Sequence, residues 1–168
     1  IYVSNRLADP NNHDNEIGIF LDSGAPPGEW TVRLHGDRVT NGRFDAWVER
    51  DDVEQSQLAG STPDHTLGSI SCGRESIVVG SYDAHKDART VSWFSSAGPT
   101  RDGREKPDLS APGHQVLAAH SRTASALVAK SGTSMAAPAV AGVVALLLAE
   151  AAHIGVNLSS TEIRDILN

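Results

Sequence analysis

From Met135 to Ala149 the chain carries no charged side chain. The stretch around it, Lys130 to Glu150 (KSGTSMAAPAVAGVVALLLAE), opens on small polar residues and closes on an acid. This pattern predicts a helix with a polar mouth and an apolar body, with Gly132 supplying the tight turn ahead of it. Ser134 then sits at a helix N-terminus. Unpaired backbone N–H groups and the positive end of the macrodipole gather there and favour an oxyanion forming beside the hydroxyl. A nucleophile fits that position; the plainer alternative is that Ser131, Thr133 and Ser134 compete to cap a buried helix.

The remaining pattern divides the chain. Residues 1–16 are rich in Asn and Asp and read as loop or linker. Three β-like runs follow. Ile17–Leu21 is short and apolar. Trp30–His35 sets Trp30, Val32 and Leu34 on one face, and Phe44, Ala46 and Val48 alternate with polar neighbours after a connection containing Asn41-Gly42. Together they predict a small antiparallel segment with one dry face. Trp30 fits core packing and Trp47 edge shielding better than a stacking surface for carbohydrate or peptide. Three strands are too few to bury both faces of a sandwich. Asp51–Asp64 is a polar connector. The expected domains are thus 1–64, a β-rich segment with its connector, and 65–168.

In the second part, Thr66–Ser71 suits a short turn and Ser76–Gly80 a strand buried in a parallel sheet. Thr90–Phe94, Val116–Ala119 and Ala126–Ala129 are further strand candidates. Ser159 with Glu162 three residues on is a capping-box signature for a last helix, Ile163, Ile166 and Leu167 facing inward. The fold class is α/β: a mainly parallel sheet with a buried helix, preceded by antiparallel β structure.

Length and charge narrow the functions. A chain of 168 residues buries a core without disulfides, and its single cysteine, Cys72, cannot form one within the chain. A formal charge of -7 without a Lys/Arg cluster argues against a nucleic-acid partner. Pro138 and Gly142 interrupt the longest apolar run, so no membrane segment is expected. The chain begins at Ile1 with no signal peptide in view and reads as part of something longer.

Gly132-Thr133-Ser134-Met135-Ala136-Ala137-Pro138, followed by Val140-Ala141-Gly142, resembles the nucleophile motif of the subtilisin-like serine proteases. Phe94–Pro99 (FSSAGP), Lys106–Leu109 (KPDL) and Ser110–Gly113 (SAPG) resemble the same family in its own order, extending the likeness over roughly residues 66–168. Ala139 departs from the pattern, since many relatives carry histidine after the proline. Less specifically, Gly28–Leu34 and Gly42–Phe44 with Trp47 are similar to the closing strands of β-sandwich modules that accompany some subtilases.

The resemblance implies a partial subtilisin-like catalytic domain. In it Ser134 attacks the scissile carbonyl and its N–H helps hold the oxyanion, Thr133 is a supporting hydroxyl, and Gly132, Pro138 and Gly142 shape the motif. It also implies an extended polypeptide substrate and suggests a secreted or periplasmic setting. No cofactor is required for this chemistry. Some relatives bind structural calcium, and Asp83, Asp87, Asp102, Glu105 and Asp108 lie in loops that would contribute ligands; without a dense Asp/Asn loop they read as solvated charges.

A serine hydroxyl needs a base, and a third group to orient the base. In subtilisin the order is Asp, His, Ser, so both partners should precede Ser134. No His-Gly-Thr-like helix opening occurs. His35-Gly36 is its nearest echo but ends a strand, and His13, His65, His85, His114, His120 and His153 read as solvated or structural. The family's oxyanion asparagine also lies upstream of the matched residues, so Asn5, Asn11, Asn12 and Asn15 are not given that role. The expectation is the carboxy-terminal part of a serine endopeptidase, inactive alone, whose partner is the upstream part of its own catalytic domain. A pseudoprotease and a β-sandwich binding module are the alternatives.

Overall fold

The computed structural model describes residues 1–10, 13–48 and 56–168. Asn11, Asn12 and residues 49–55, the last including part of the expected connector, lie outside the described residues. The chain forms two compact units, Ile1–Asp45 and Ala46–Asn168.

In the first unit, strand β1 (Tyr2–Arg6) pairs antiparallel with β2 (Glu16–Phe20), with Tyr2 opposite Phe20 and Arg6 opposite Glu16. The Tyr2 and Phe20 rings lie 5.9 Å apart. The strand expected at Ile17–Leu21 is therefore present, displaced by one residue. The reading of residues 1–16 as loop is corrected at Tyr2–Arg6. The Asn/Asp-rich composition belongs to the connection, where Ala8 and His13 take positive φ and Asp9 N–H donates to Asp14 O. Trp30–His35 and Phe44–Val48 form no strand among the described residues, and Trp30, Val32 and Leu34 are all exposed. Alternation gives a strand a face, but a ladder partner has to cover it. The Asn41-Gly42 turn forms locally, with Asn41 Oδ1 accepting from Arg43 N–H at 3.1 Å.

The second unit opens with Trp47, whose indole N–H donates to His65 O at 3.0 Å, and a 3-10 turn at Ser69–Cys72. Its centre is a parallel pair, β3 (Val79–Tyr82) and β4 (Leu109–Pro112), in the register Val79 to Leu109. Thr90–Phe94 contributes a single bridge, Val91 to Tyr82, rather than a strand. An antiparallel hairpin follows, β5 (Val116–Ala119) with β6 (Leu127–Lys130), and then helices α1 (Thr133–His153) and α2 (Ser160–Leu167).

Helix α1 packs on β3 and β4. Ala136 and Val140, one helical turn apart, join Ala111 in the core, with Ile77, Val79, Leu109, Val144 and Leu167 partly buried around them. The small Ala136 and Ala111 side chains let helix and sheet approach closely. Within this chain α1 is covered along that stripe, while Val143, Leu146 and Leu148 stay exposed. The α2 capping box forms as the sequence predicts: Ser159 Oγ accepts from Glu162 N–H, and Ser159 N–H donates to the Glu162 carboxylate. Ile163 is buried there, but Ile166 is exposed, against expectation.

The 21-residue α1, with a mean hydropathy of 1.9 over its most apolar window, is by length and composition long and apolar enough to cross a membrane. That corrects the reading of an interrupted stretch. Pro138 and Gly142 lie inside a continuous helix and neither brings a charge.

Candidate active site

The polar mouth of α1 forms from a tight backbone junction. Gly132 occupies the N-cap with φ 154°, a region that L side chains rarely adopt. Its N–H donates to Gly113 O at 2.8 Å, and Ser131 Oγ accepts from Gln115 N–H at 2.9 Å. A Cβ on Gly113 would collide with Ser81 Oγ and lie 2.8 Å from Gly132 O. Ser81 is itself fully buried, its hydroxyl 2.8 Å from that of Ser92 and its N–H donating to Ser95 Oγ at 3.0 Å. Two glycines and a chain of small hydroxyls thus dock the end of β4 against the start of α1.

Ser134 emerges from that junction as the second residue of α1 and is exposed. Neither its hydroxyl nor its N–H meets a hydrogen-bond partner among the described residues, whereas the next N–H, of Met135, turns back to Gly132 O at 2.9 Å. Pro138 adds to the open character. It has no N–H, so the Ser134 carbonyl four residues earlier lacks the usual i+4 donor. A free hydroxyl beside free N–H groups at a helix N-terminus can attack a carbonyl and hold the resulting oxyanion. Thr133, the first residue of α1, is half-buried beside it, and no side chain caps the helix. The capping alternative for Ser131, Thr133 and Ser134 is therefore not realised. Gly142 lies eight residues further along the helix, where an added Cβ would meet nothing within 4 Å.

No imidazole of the second unit bonds to the Ser134 hydroxyl among the described residues. His114 stacks on Phe94 at 6.1 Å, His65 lies 3.4 Å from Asp64, His120 Nδ1 donates to Ser121 O at 2.8 Å, and His153 ends α1. His13 and His35 belong to the first unit. The Asp83 carboxyl is held below its ordinary range by the His85 N–H, helped by His114 and Lys86, against the opposing effect of burial. It serves that loop, with Lys86 Nζ at 3.6 Å.

Of the loop carboxylates, Asp83, Asp102 and Asp108 face cations of the chain, and Asp87 and Glu105 join no metal-ligand group among the described residues. Asp102 accepts from Arg104, Thr100 and Arg74, and the first two of these chiefly hold its pKa at about 2. Arg104 goes on to the carbonyls of Cys72 and Gly73. Lys106 and Asp108 form a buried pair at 2.6 Å, the ammonium also donating to Ser76 O and the carboxylate accepting from Val78 N–H. No group of three or more His, Cys, Asp or Glu side chains converges as a metal-ligand set among the described residues. Sequence reasoning did not single out Gly113 as the partner of the serine turn, nor the groove lined by Lys130 and Met135. The SAPG string carried the first signal; the second exists only once β5 and β6 pair.

The sequence model of the Subtilase family matches residues 41–168. The serine protease AprX of Bacillus subtilis is 36% identical over 124 residues, covering 64% of this chain and 27% of AprX. Pyrolysin of Pyrococcus furiosus is 37% identical over 86 residues, 51% of this chain and 6% of pyrolysin. Among solved structures, the patellamide maturation protease PatA is 30% identical with a TM-score of 0.51, covering 65% of this chain and 37% of PatA. The chain thus spans about a quarter of AprX and a far smaller share of pyrolysin.

Proposed function

The chain belongs to the subtilase family, a family of serine proteases, and on that premise we propose that it carries the nucleophile of a serine endopeptidase. Ser134 attacks the carbonyl of a peptide bond, and the Ser134 N–H helps hold the oxyanion. Thr133 supports the turn, and Gly132, Pro138 and Gly142 shape the motif. The observation that carries this reading is the second-position serine of α1, exposed, with hydroxyl and N–H free of partners among the described residues.

The aspartate and histidine of the triad come, in this reading, from a preceding segment of the same catalytic domain, and the 168 residues alone are inactive. Two findings support it. None of the five histidines of the second unit bonds to Ser134 among the described residues, and α1 leaves Leu146 73% exposed on a helix whose other side is core. The preceding segment covers that face, so α1 is the interior helix of a complete domain rather than a membrane span. The substrate is an extended polypeptide, as the family implies. The mechanism requires no cofactor, and no nucleic-acid partner is proposed. A secreted or periplasmic setting follows the family likeness.

The test is hydrolysis of an unstructured protein substrate by the full-length protein carrying this chain. Ser134→Ala should lower turnover by about 10⁶-fold, as loss of the nucleophile does in subtilisin. Turnover unchanged by that substitution would defeat the assignment of Ser134, and a folded wild-type protein with no turnover would favour a non-catalytic binding role.

A further inference from the structure

Two buried hydroxyls lie beneath the serine turn. Ser81 in β3 is opposite Ala111 in β4, and opposed residues share a face, so its side chain stands on the side of the sheet that α1 covers with Ala136 and Val140. Ser81 is 0% exposed and Ser92 4%. Their hydroxyl oxygens are 2.8 Å apart, and the Ser92 N–H donates to Ser81 O at 2.8 Å. Two alanines would make the same backbone bond without burying polar atoms, so packing alone does not account for the hydroxyls.

Their neighbour is Gly113. A Cβ there would collide with the Ser81 hydroxyl, so that oxygen fills the space in which a side chain of Gly113 would stand. Backbone bonds hold Gly113 from other directions: its N–H donates to Tyr82 O at 3.2 Å, and its carbonyl accepts from Gly132 N–H at 2.8 Å. Gly132 is the N-cap of α1, and Ser134 follows two residues later. A serine hydroxyl left to itself samples staggered positions about χ1. The bond to Ser92 selects the one that abuts Gly113. The path from Ser92 to the nucleophile therefore runs through Ser81, Gly113 and Gly132, and no long, flexible side chain interrupts it.

We propose that the Ser81–Ser92 hydroxyl pair positions Ser134: it fixes Gly113, whose carbonyl fixes the Gly132 turn and with it the hydroxyl and N–H of the nucleophile. The proposal rests on the serine endopeptidase reading and extends that site to two residues that never touch substrate. They are positioning residues, so their loss falls on kcat rather than KM. Misplacing a reacting group by about 1 Å costs about 100-fold in rate; a turn that keeps its backbone bonds shifts less, and the expected loss is about tenfold.

The experiment is a double-mutant cycle in the full-length protein carrying this chain: Ser81→Ala, Ser92→Ala and the two together, with kcat and KM on a peptide substrate and the urea midpoint measured for each. Either single variant leaves one buried hydroxyl without its partner and should lower the midpoint. The double variant removes both hydroxyls and should regain most of that loss. The rate should behave differently. In all three variants kcat should fall about tenfold with KM unchanged, because each lacks a fixed hydroxyl against Gly113. A kcat that recovers with the midpoint in the double variant, a wild-type kcat throughout, or a change confined to KM overturns the proposal and leaves the endopeptidase reading standing. Folded wild-type protein that cleaves no peptide overturns both.

Discussion

Val32 and Val140 are the same residue in two different situations. Val32 belongs to an alternating run in the first unit and is 59% exposed. Val140 belongs to α1 and is 7% exposed, in a core cluster with Ala111 and Ala136. Periodicity in each run names a face, yet only the second face is buried, because β3 and β4 present a surface that a helix can cover. The first unit shows how little a pattern decides without such a surface. The second shows how far one parallel pair and one helix go once Ala111 and Ala136 let them approach.

The sharpest way to break this contrast is through charge. Lys106 and Asp108 have side chains only 4% and 8% exposed. Lys106→Ala leaves a buried carboxylate with the Val78 N–H as its remaining partner, and should destabilise the fold by about 3–5 kcal/mol, read by urea unfolding. A loss below about 1 kcal/mol would mean that water reaches Asp108 and that the second unit is looser than described.

The valines give a direct and smaller test. Val140→Ala should cost about 2 kcal/mol, since it leaves a void against Ala111 and its neighbours. Val32→Ala should stay within about 0.5 kcal/mol. Equal costs in the same unfolding experiment would erase the distinction between the two regions.

The smallest effect expected is a pH dependence. The Asp102 carboxyl is held at about 2, against an ordinary 3.8, by hydrogen bonds from Arg104 and Thr100. A group whose folded pKa is depressed stabilises fully above its unfolded value, and that stabilisation is lost as pH falls from about 4 toward 2. Asp102→Asn should flatten the stability profile in that window and leave its slope at neutral pH unchanged. An unchanged acid limb would show that the Arg74–Asp102–Arg104 cluster is not linked to folding.

The sequence disclosed α1 and the place of Ser134 in it because their determinants are local: a glycine turn, a long apolar run and a serine between them. The α2 cap was readable for the same reason, since Ser159 and Glu162 need only each other. The pairing of Val79 with Leu109 spans thirty residues and depends on register, so the strand at Leu109–Pro112 was not distinguishable from a loop leading to Val116. Tyr2–Arg6 was hidden by the Asn/Asp-rich connection beside it, and Trp30–His35 was over-read from alternation. The family strings pointed to Ser134, but the Gly113 contact that docks its turn became visible only with the two segments together.

The central claim is that the Ser134 hydroxyl belongs to a hydrolytic site whose base lies in a preceding segment. A fluorophosphonate probe tests it most directly, applied to the full-length protein and to these 168 residues, with the modified residue located by mass spectrometry. The account predicts rapid, stoichiometric modification of Ser134 in the former and none in the latter. Rapid labelling of the 168 residues alone, or a full-length protein whose Ser134 stays unmodified, would contradict it.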